Sequence, residues 1–132
     1  MKIALLSIMV DDQDKALAFY TEKLGFITKQ DVPMGGPRWI TVASPEGPEG
    51  VEVSLEPNNN PELNGGAQAF QRLLFEKGIA WTAFAVDDVH KEYDRLKSLG
   101  VVFNGEPQAM GPVTIAIFDD TCGNLIQIFK VA

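Results

Sequence analysis

The hydrophobic and polar positions of residues 83–101 predict a strand, a capped helix and a return into a second strand. Residues 83–86 form a short apolar run that ends at Asp87. Asp88 is suited to cap a helix, because its carboxylate accepts hydrogen bonds from first-turn N–H groups that have no partner. Gly100 is suited to end the helix, since glycine adopts the left-handed conformation readily. The apolar face of this helix has the spacing i, i+4, i+7 and consists of Val89, Tyr93 and Leu96.

The same pattern occurs near the start of the chain, where an acidic pair again follows an apolar run and a leucine–glycine pair closes a helix. Val86 lies 76 positions after Val10, and Gly100 lies 75 positions after Gly25. A repeat with a near-constant offset determines the architecture before any single element does. The sequence therefore predicts a duplicated β-α-β-β-β module and an α+β fold.

The expected domain is a single one, residues 1–132, made of two repeats at about residues 1–57 and 79–132. A linker with a helix at about residues 66–77 joins them. In the first repeat the expected elements are a helix at 12–24 and strands at 3–10, 26–32, 39–43 and 51–55. In the second repeat the expected strands are at 79–86, 101–103, 113–118 and 124–130.

Composition narrows the possible partners. The net charge of −7 argues against nucleic acid and anionic membranes, which both require clustered Lys and Arg. The single cysteine, Cys122, rules out an intrachain disulfide and fits a reducing compartment. No apolar run has the length needed to span a membrane. We therefore expect a cytoplasmic protein with no nucleic-acid or membrane partner.

The ordered motifs of both repeats point to a known family. The first repeat carries Val10-Asp11-Asp12, Tyr20 and Leu24-Gly25-Phe26. The second carries Phe84 to Asp88, Tyr93, Leu96, Leu99-Gly100, Asp119-Asp120 and Gly123 to Ile126. Over nearly its whole length the chain resembles the vicinal oxygen chelate superfamily, which includes glyoxalases, bleomycin resistance proteins and extradiol dioxygenases. The resemblance implies an open, barrel-like cup of two modules around a cavity, and commonly a homodimer.

The resemblance also implies where a divalent metal would be bound in an enzyme of this family. The matching positions carry Leu5 and Ser54 in the first repeat and Trp81 and Gln127 in the second. Transition metals prefer imidazole, carboxylate or thiolate ligands, and none of these four side chains offers one. The single histidine, His90, lies between charged residues on the second helix and is expected at the surface. We therefore expect no metal ligand and no cofactor, and no catalytic residue is identified.

Alternation along the strands predicts which side chains line the cavity that the resemblance implies. These residues are Leu5, Ser7, Met9, Ser54, Glu56, Trp81, Gln127 and Phe129. An apolar lining with an aromatic plate, an amide and an acid suits a small organic ligand. The alternative is that Met9, Trp81 and Phe129 fill the barrel as core.

The sequence and the resemblance favour a metal-independent protein that binds a small molecule. We expect it to sequester an organic or cationic ligand as a homodimer. One alternative is a glyoxalase- or dioxygenase-type enzyme, either a lyase, an isomerase or an oxidoreductase, with an atypical active site. Another is a dimeric interaction module without a ligand. A bound metal would distinguish the enzyme from the binding protein, and a pocket of drug-like size would distinguish the binding protein from the interaction module.

Overall fold

The computed structural model describes all 132 residues and divides into two compact units, Met1–Gln68 and Ala69–Ala132. Each unit contains one four-stranded sheet with its helix, so the α+β class with duplicated β-α-β-β-β modules is confirmed. No helix is both long and apolar enough to cross a membrane.

The first unit begins with the strand β1 and continues through one helix and three further strands. Its elements are β1 (Leu5–Val10), α1 (Gln13–Ala18), β2 (Ile27–Pro33), β3 (Arg38–Ala43) and β4 (Glu52–Pro57). A π-helical segment, Phe19–Lys23, continues α1, and a 3₁₀ turn, Pro61–Leu63, follows β4. The unit boundary falls within the next helix, α2 (Gly66–Glu76).

The second unit repeats the order of the first. Its elements are β5 (Thr82–Ala85), α3 (Val89–Ser98), β6 (Gln108–Met110), β7 (Val113–Asp119) and β8 (Leu125–Val131). The sheet orders are β1-β4-β3-β2 and β5-β8-β7-β6. In both, the first strand runs parallel to the last and the remaining neighbours pair antiparallel. The caps also match, since Asp12 accepts from the Lys15 N–H and Asp88 from the Lys91 N–H.

In each unit, the helix that follows the first strand covers one face of the sheet. In the first unit α1 packs against β3 and β4, and the fully buried side chains include Val10, Tyr20, Ile40, Val42 and Leu55. In the second unit α3 packs against β7 and β8, and the buried set includes Val89, Leu96, Phe118, Ile126 and Ile128. The opposite face of each sheet is therefore the one available for other contacts.

The prediction of a strand at about residues 101–103 is wrong. Phe103 makes only an isolated bridge with Phe118, and the strand that pairs with β7 is Gln108–Met110. The reason is packing, because the Phe103 ring contacts Tyr93 and Phe118 edge to face at centroid distances of 4.7 and 5.5 Å. An apolar run anchored by ring contacts does not need a full strand ladder.

Two other expected boundaries also shift. The second-repeat strand expected from residue 79 begins at Thr82, because the Ile79 N–H bonds the Leu74 carbonyl and so still belongs to the exit from α2. The first strand begins at Leu5 rather than at residue 3. The expected first helix is present, but its last turn widens into the π-helical segment.

Gln13 ties the start of α1 to two strands. Its side-chain amide donates to the Arg38 and Leu55 carbonyls at 2.7 and 2.9 Å, and its carbonyl accepts from the Arg38 N–H at 3.0 Å. One side chain therefore satisfies three backbone groups on β3 and β4. This contact fixes the helix against the sheet in a way that no hydrophobic pair does.

We expect Gln13→Ala to lower the free energy of unfolding by about 1–3 kcal/mol, because it leaves backbone groups on β3 and β4 without partners. Urea denaturation measures the effect. The matched control is Gln108→Ala, since Gln108 is exposed on β6 and exposed substitutions usually stay within about 0.5 kcal/mol. Equal unfolding midpoints for the two variants would contradict this role for Gln13.

Candidate functional site

The open face of the first sheet is organised by the parallel pairing of β1 with β4. Leu5 lies opposite Glu52, Ser7 opposite Ser54, and Met9 opposite Glu56. Because side chains alternate along a strand, these residues share one face, and their neighbours Ile8 and Leu55 point to the α1 side. The pairing thus brings together five residues that the sequence predicts as cavity lining: Leu5, Ser7, Met9, Ser54 and Glu56.

A chain of hydroxyl groups leads to Glu56. The Oγ atoms of Ser7 and Ser54 lie 2.8 Å apart, and Ser54 Oγ donates to Glu56 Oε1 at 3.2 Å. Ser54 is buried, with 1% of its surface exposed, whereas Ser7 is exposed. The buried hydroxyl therefore orients the carboxylate of Glu56.

A second chain leads to Glu52. Thr41 Oγ1 donates to Glu52 Oε1 at 2.5 Å, and Gln30 Nε2 donates to the same oxygen at 3.3 Å. Trp39 Nε1 donates to Gln30 Oε1 at 3.0 Å. We call the seven residues of the two chains the first-unit polar face: Ser7, Gln30, Trp39, Thr41, Glu52, Ser54 and Glu56.

Sequence reasoning missed Gln30, Trp39 and Thr41 as members of this face. The pairing of β2 with β3 shifts between Thr28 and Gln30, so that Gln30 lies opposite Thr41. Such a bulge inserts one residue and re-aims the side chains that follow it. The alternation of Trp39 and Thr41 along β3 could have placed these two residues on the face. No local sequence pattern indicates the bulge in β2 that brings in Gln30.

The two acids of the polar face have neutral partners only. The ion pairs of the first unit join Arg38 to Asp14 and Asp31, and Lys15 to Asp11. The hydrogen bonds from Arg38 to Asp31 and then to Asp14 raise the pKa of its guanidinium above the usual value. Glu52 and Glu56 thus carry the charge of the face without a protein cation beside them.

The corresponding face of the second unit is mostly apolar. Ala83 lies opposite Gln127 and Ala85 opposite Phe129, in the same register as the first unit. Trp81 precedes β5 and is 73% exposed. Its ring meets Phe70 of α2 edge to face, with centroids 5.8 Å apart. Trp81, Gln127 and Phe129 therefore lie in one unit, on or beside the β5–β8 pair.

A crevice lies beside α2 in the second unit. It is lined by Gln71, Leu74, Phe75, Ile79, Trp81, Thr82, Gly123, Asn124 and Leu125. Gln71 closes one side by donating to Asn124 Oδ1 at 3.0 Å. The empty volume is about 250 Å³ with open solvent included, so the enclosed space is smaller still.

The residues at the family's metal positions do not fit a divalent transition metal. Leu5 and Trp81 offer no ligand atom, and Ser54 and Gln127 offer only neutral oxygens, of which the Ser54 hydroxyl is already bonded to Glu56. The structure contains no group of three His, Cys, Asp or Glu side chains that could hold a metal ion. His90 is exposed on α3, as expected.

The exposure of Met9 and Trp81 disagrees with the alternative in which these side chains fill a core. Met9 is 39% exposed and Trp81 is 73% exposed, whereas core side chains such as Phe118 are completely buried. Phe129 is half-buried. Met9 and Trp81 are thus surface groups of their own units.

Comparison with known proteins supports the assignment suggested by the motifs. The family model described as "Glyoxalase/Bleomycin resistance protein/Dioxygenase superfamily" matches residues 2–128. The protein YurT of Bacillus subtilis (strain 168) is 59% identical over 130 residues, which cover 98% of this chain and 99% of YurT.

Two solved structures share both sequence and fold with the chain. The crystal structure of UcmS2 has 35% identity and a TM-score of 0.83, with 98% of this chain and 97% of UcmS2 covered. TnmS3, described as an antibiotic binding protein from Streptomyces sp. CB03234, has 25% identity and a TM-score of 0.74. That match covers 100% of this chain and 97% of TnmS3.

We expect Trp81→Ala to change the free energy of unfolding by less than about 1 kcal/mol, because the side chain is mostly exposed. The control is Phe118→Ala in the same unit, where loss of a fully buried ring costs about 3–5 kcal/mol. Urea denaturation of both variants measures the difference. If Trp81→Ala lowered the free energy of unfolding as much as Phe118→Ala does, Trp81 would be a core residue after all.

Proposed function

The chain belongs to the glyoxalase/bleomycin resistance protein/dioxygenase superfamily, and we propose that it is a metal-independent member that binds and sequesters a small organic or cationic molecule. The observation that carries the proposal is the first-unit polar face. There, two hydrogen-bonded acids without a cationic partner lie beside the exposed apolar side chains of Leu5 and Met9. Such a mixture of apolar contact surface and a few fixed polar groups is typical of small-molecule sites.

Two further facts support this proposal. The metal positions of the family carry residues that do not fit a metal, which removes the usual source of its lyase and oxygenase chemistry. TnmS3, which shares the fold over the whole chain, is described as an antibiotic binding protein. Sequestration needs an affinity for the ligand and no reacting group, and we propose that the polar face supplies that affinity.

We expect compounds with a planar apolar body to raise the thermal unfolding midpoint and to change tryptophan fluorescence. The two tryptophans report separately, because Trp39 belongs to the polar face and Trp81 to the second unit. Trp81→Phe leaves Trp39 as the only emitter, and Trp39→Phe leaves Trp81. A screen of naphthalene- and anthraquinone-type compounds of positive, neutral and negative charge tests the proposal.

A response of the Trp39 emitter is the expected result, since Trp39 is hydrogen-bonded within the face. If no compound shifted the midpoint or either emission, the proposed function would be wrong. A stoichiometric transition metal in the purified protein, together with turnover of a substrate, would favour the enzyme alternative instead.

We also propose that the protein acts as a homodimer. Large apolar side chains are unusually exposed in the single chain, including Ile3, Leu6, Phe70, Leu73 and Trp81 with exposed fractions of 72%, 57%, 49%, 51% and 73%. Soluble monomers rarely leave extended apolar patches open to water. Closed two-fold pairing is the commonest way to cover them.

We expect light scattering at micromolar concentration to give twice the chain mass of 14.4 kDa. Replacing exposed apolar residues with charged ones, as in the double variant Leu6→Glu and Leu73→Glu, should shift the protein toward the single-chain mass, because a dimer interface tolerates no unpaired charge. Light scattering that shows only the single-chain mass for the unmodified protein would contradict the dimer.

A further inference from the structure

The direction of each hydrogen bond on the first-unit polar face follows from the number of hydrogens available. A serine hydroxyl has one hydrogen and two acceptor positions. Ser54 donates its hydrogen to Glu56. The hydrogen in the 2.8 Å contact between Ser7 and Ser54 must therefore come from Ser7. Ser7 is left with acceptor positions only.

In the second chain, too, most side-chain hydrogens are already donated within the protein. The hydroxyl hydrogen of Thr41 goes to Glu52, and the indole hydrogen of Trp39 goes to Gln30. Gln30 gives one amide hydrogen to Glu52 and keeps one, at the edge strand β2. Along β1 and β4, by contrast, no side-chain donor of the face remains available.

Acceptor positions on β1 and β4, by contrast, remain available for hydrogen bonds. Glu56 receives one hydrogen bond, at Oε1, and no ion pair. A carboxylate has about four acceptor positions on its two oxygens. The free acceptors are therefore those of Glu56 and of Ser7, on two strands that the register holds side by side.

We propose that Ser7 and Glu56 form an acceptor-only subsite that selects a ligand group rich in hydrogen-bond donors, such as an ammonium, amidinium or hydroxyl group. The inference rests on the proposed function, since it names the chemical class that the same face binds. A carboxylate, phosphate or bare carbonyl group finds no donor there and faces the charge of Glu56. Leu5 and Met9, 45% and 39% exposed on the same strand, provide contact for the apolar part of the ligand.

Three probes that share one apolar body test this selection: 2-naphthylmethylamine, 2-naphthalenemethanol and 2-naphthoate. At pH 7 they present an ammonium, a hydroxyl and a carboxylate. Isothermal titration calorimetry with the full chain should show the ammonium probe bound at least about tenfold more tightly than the carboxylate probe, with the alcohol between them.

Glu56→Gln tests the charge without disturbing the hydroxyl chain, because the amide oxygen of Gln still accepts from Ser54. It should weaken the ammonium probe about fivefold and the alcohol much less, as expected for a partly exposed charge pair. Ser7→Ala should weaken both donor probes about twofold and leave the carboxylate probe unchanged. Glu46→Gln is the matched control, since it changes the net charge equally at an exposed turn residue.

The outcomes separate the two proposals. If 2-naphthoate bound as tightly as the amine, or if Glu56→Gln and Glu46→Gln behaved alike, the acceptor-only subsite would be wrong while the binding function stood. If none of the three probes bound and the wider screen also failed, both the function and the subsite would be wrong.

Discussion

The parallel pairing of β1 with β4 is the constraint on which the rest of the first unit depends. It places Ser7 beside Ser54 and Met9 beside Glu56, and it sends Ile8 and Leu55 to the side covered by α1. Because side chains alternate with a period of two, a slip by one residue would exchange the core with the polar face. The Gln13 clamp, which joins α1 to β3 and β4, resists such a slip. Core and site therefore share a single register.

The duplicated architecture could be predicted because each copy repeats the same local signals: an acidic N-cap, a helical apolar face and a closing glycine. Period-two alternation also identified the first-repeat cavity residues that the structure brings onto one face. Tertiary packing decided the remainder. Phe103 packs by ring contacts while the strand lies at Gln108–Met110, and a bulge after Thr28 brings Gln30 to Glu52. Neither effect depends on residues adjacent in sequence, so no local pattern indicates it.

The two modules keep one register but differ in chemistry. The pair of Met9 with Glu56 in the first unit corresponds to Ala85 with Phe129 in the second. The two modules thus share their backbone hydrogen bonding, which is insensitive to side-chain type, while the side chains on their open faces differ. One face is rich in acceptors and the other is apolar.

Ser54 lies at a metal position implied by the family resemblance and also joins the hydroxyl chain. Its side chain offers no imidazole, carboxylate or thiolate to a metal, and its hydroxyl is buried and engaged with both Ser7 and Glu56. Its single hydrogen fixes the direction of the whole chain, so every side-chain donor on β1 and β4 is used inside the protein. The proposed subsite therefore offers only acceptors to a ligand. No ion pair involves Glu56, and the Arg38 guanidinium is paired with Asp14 and Asp31.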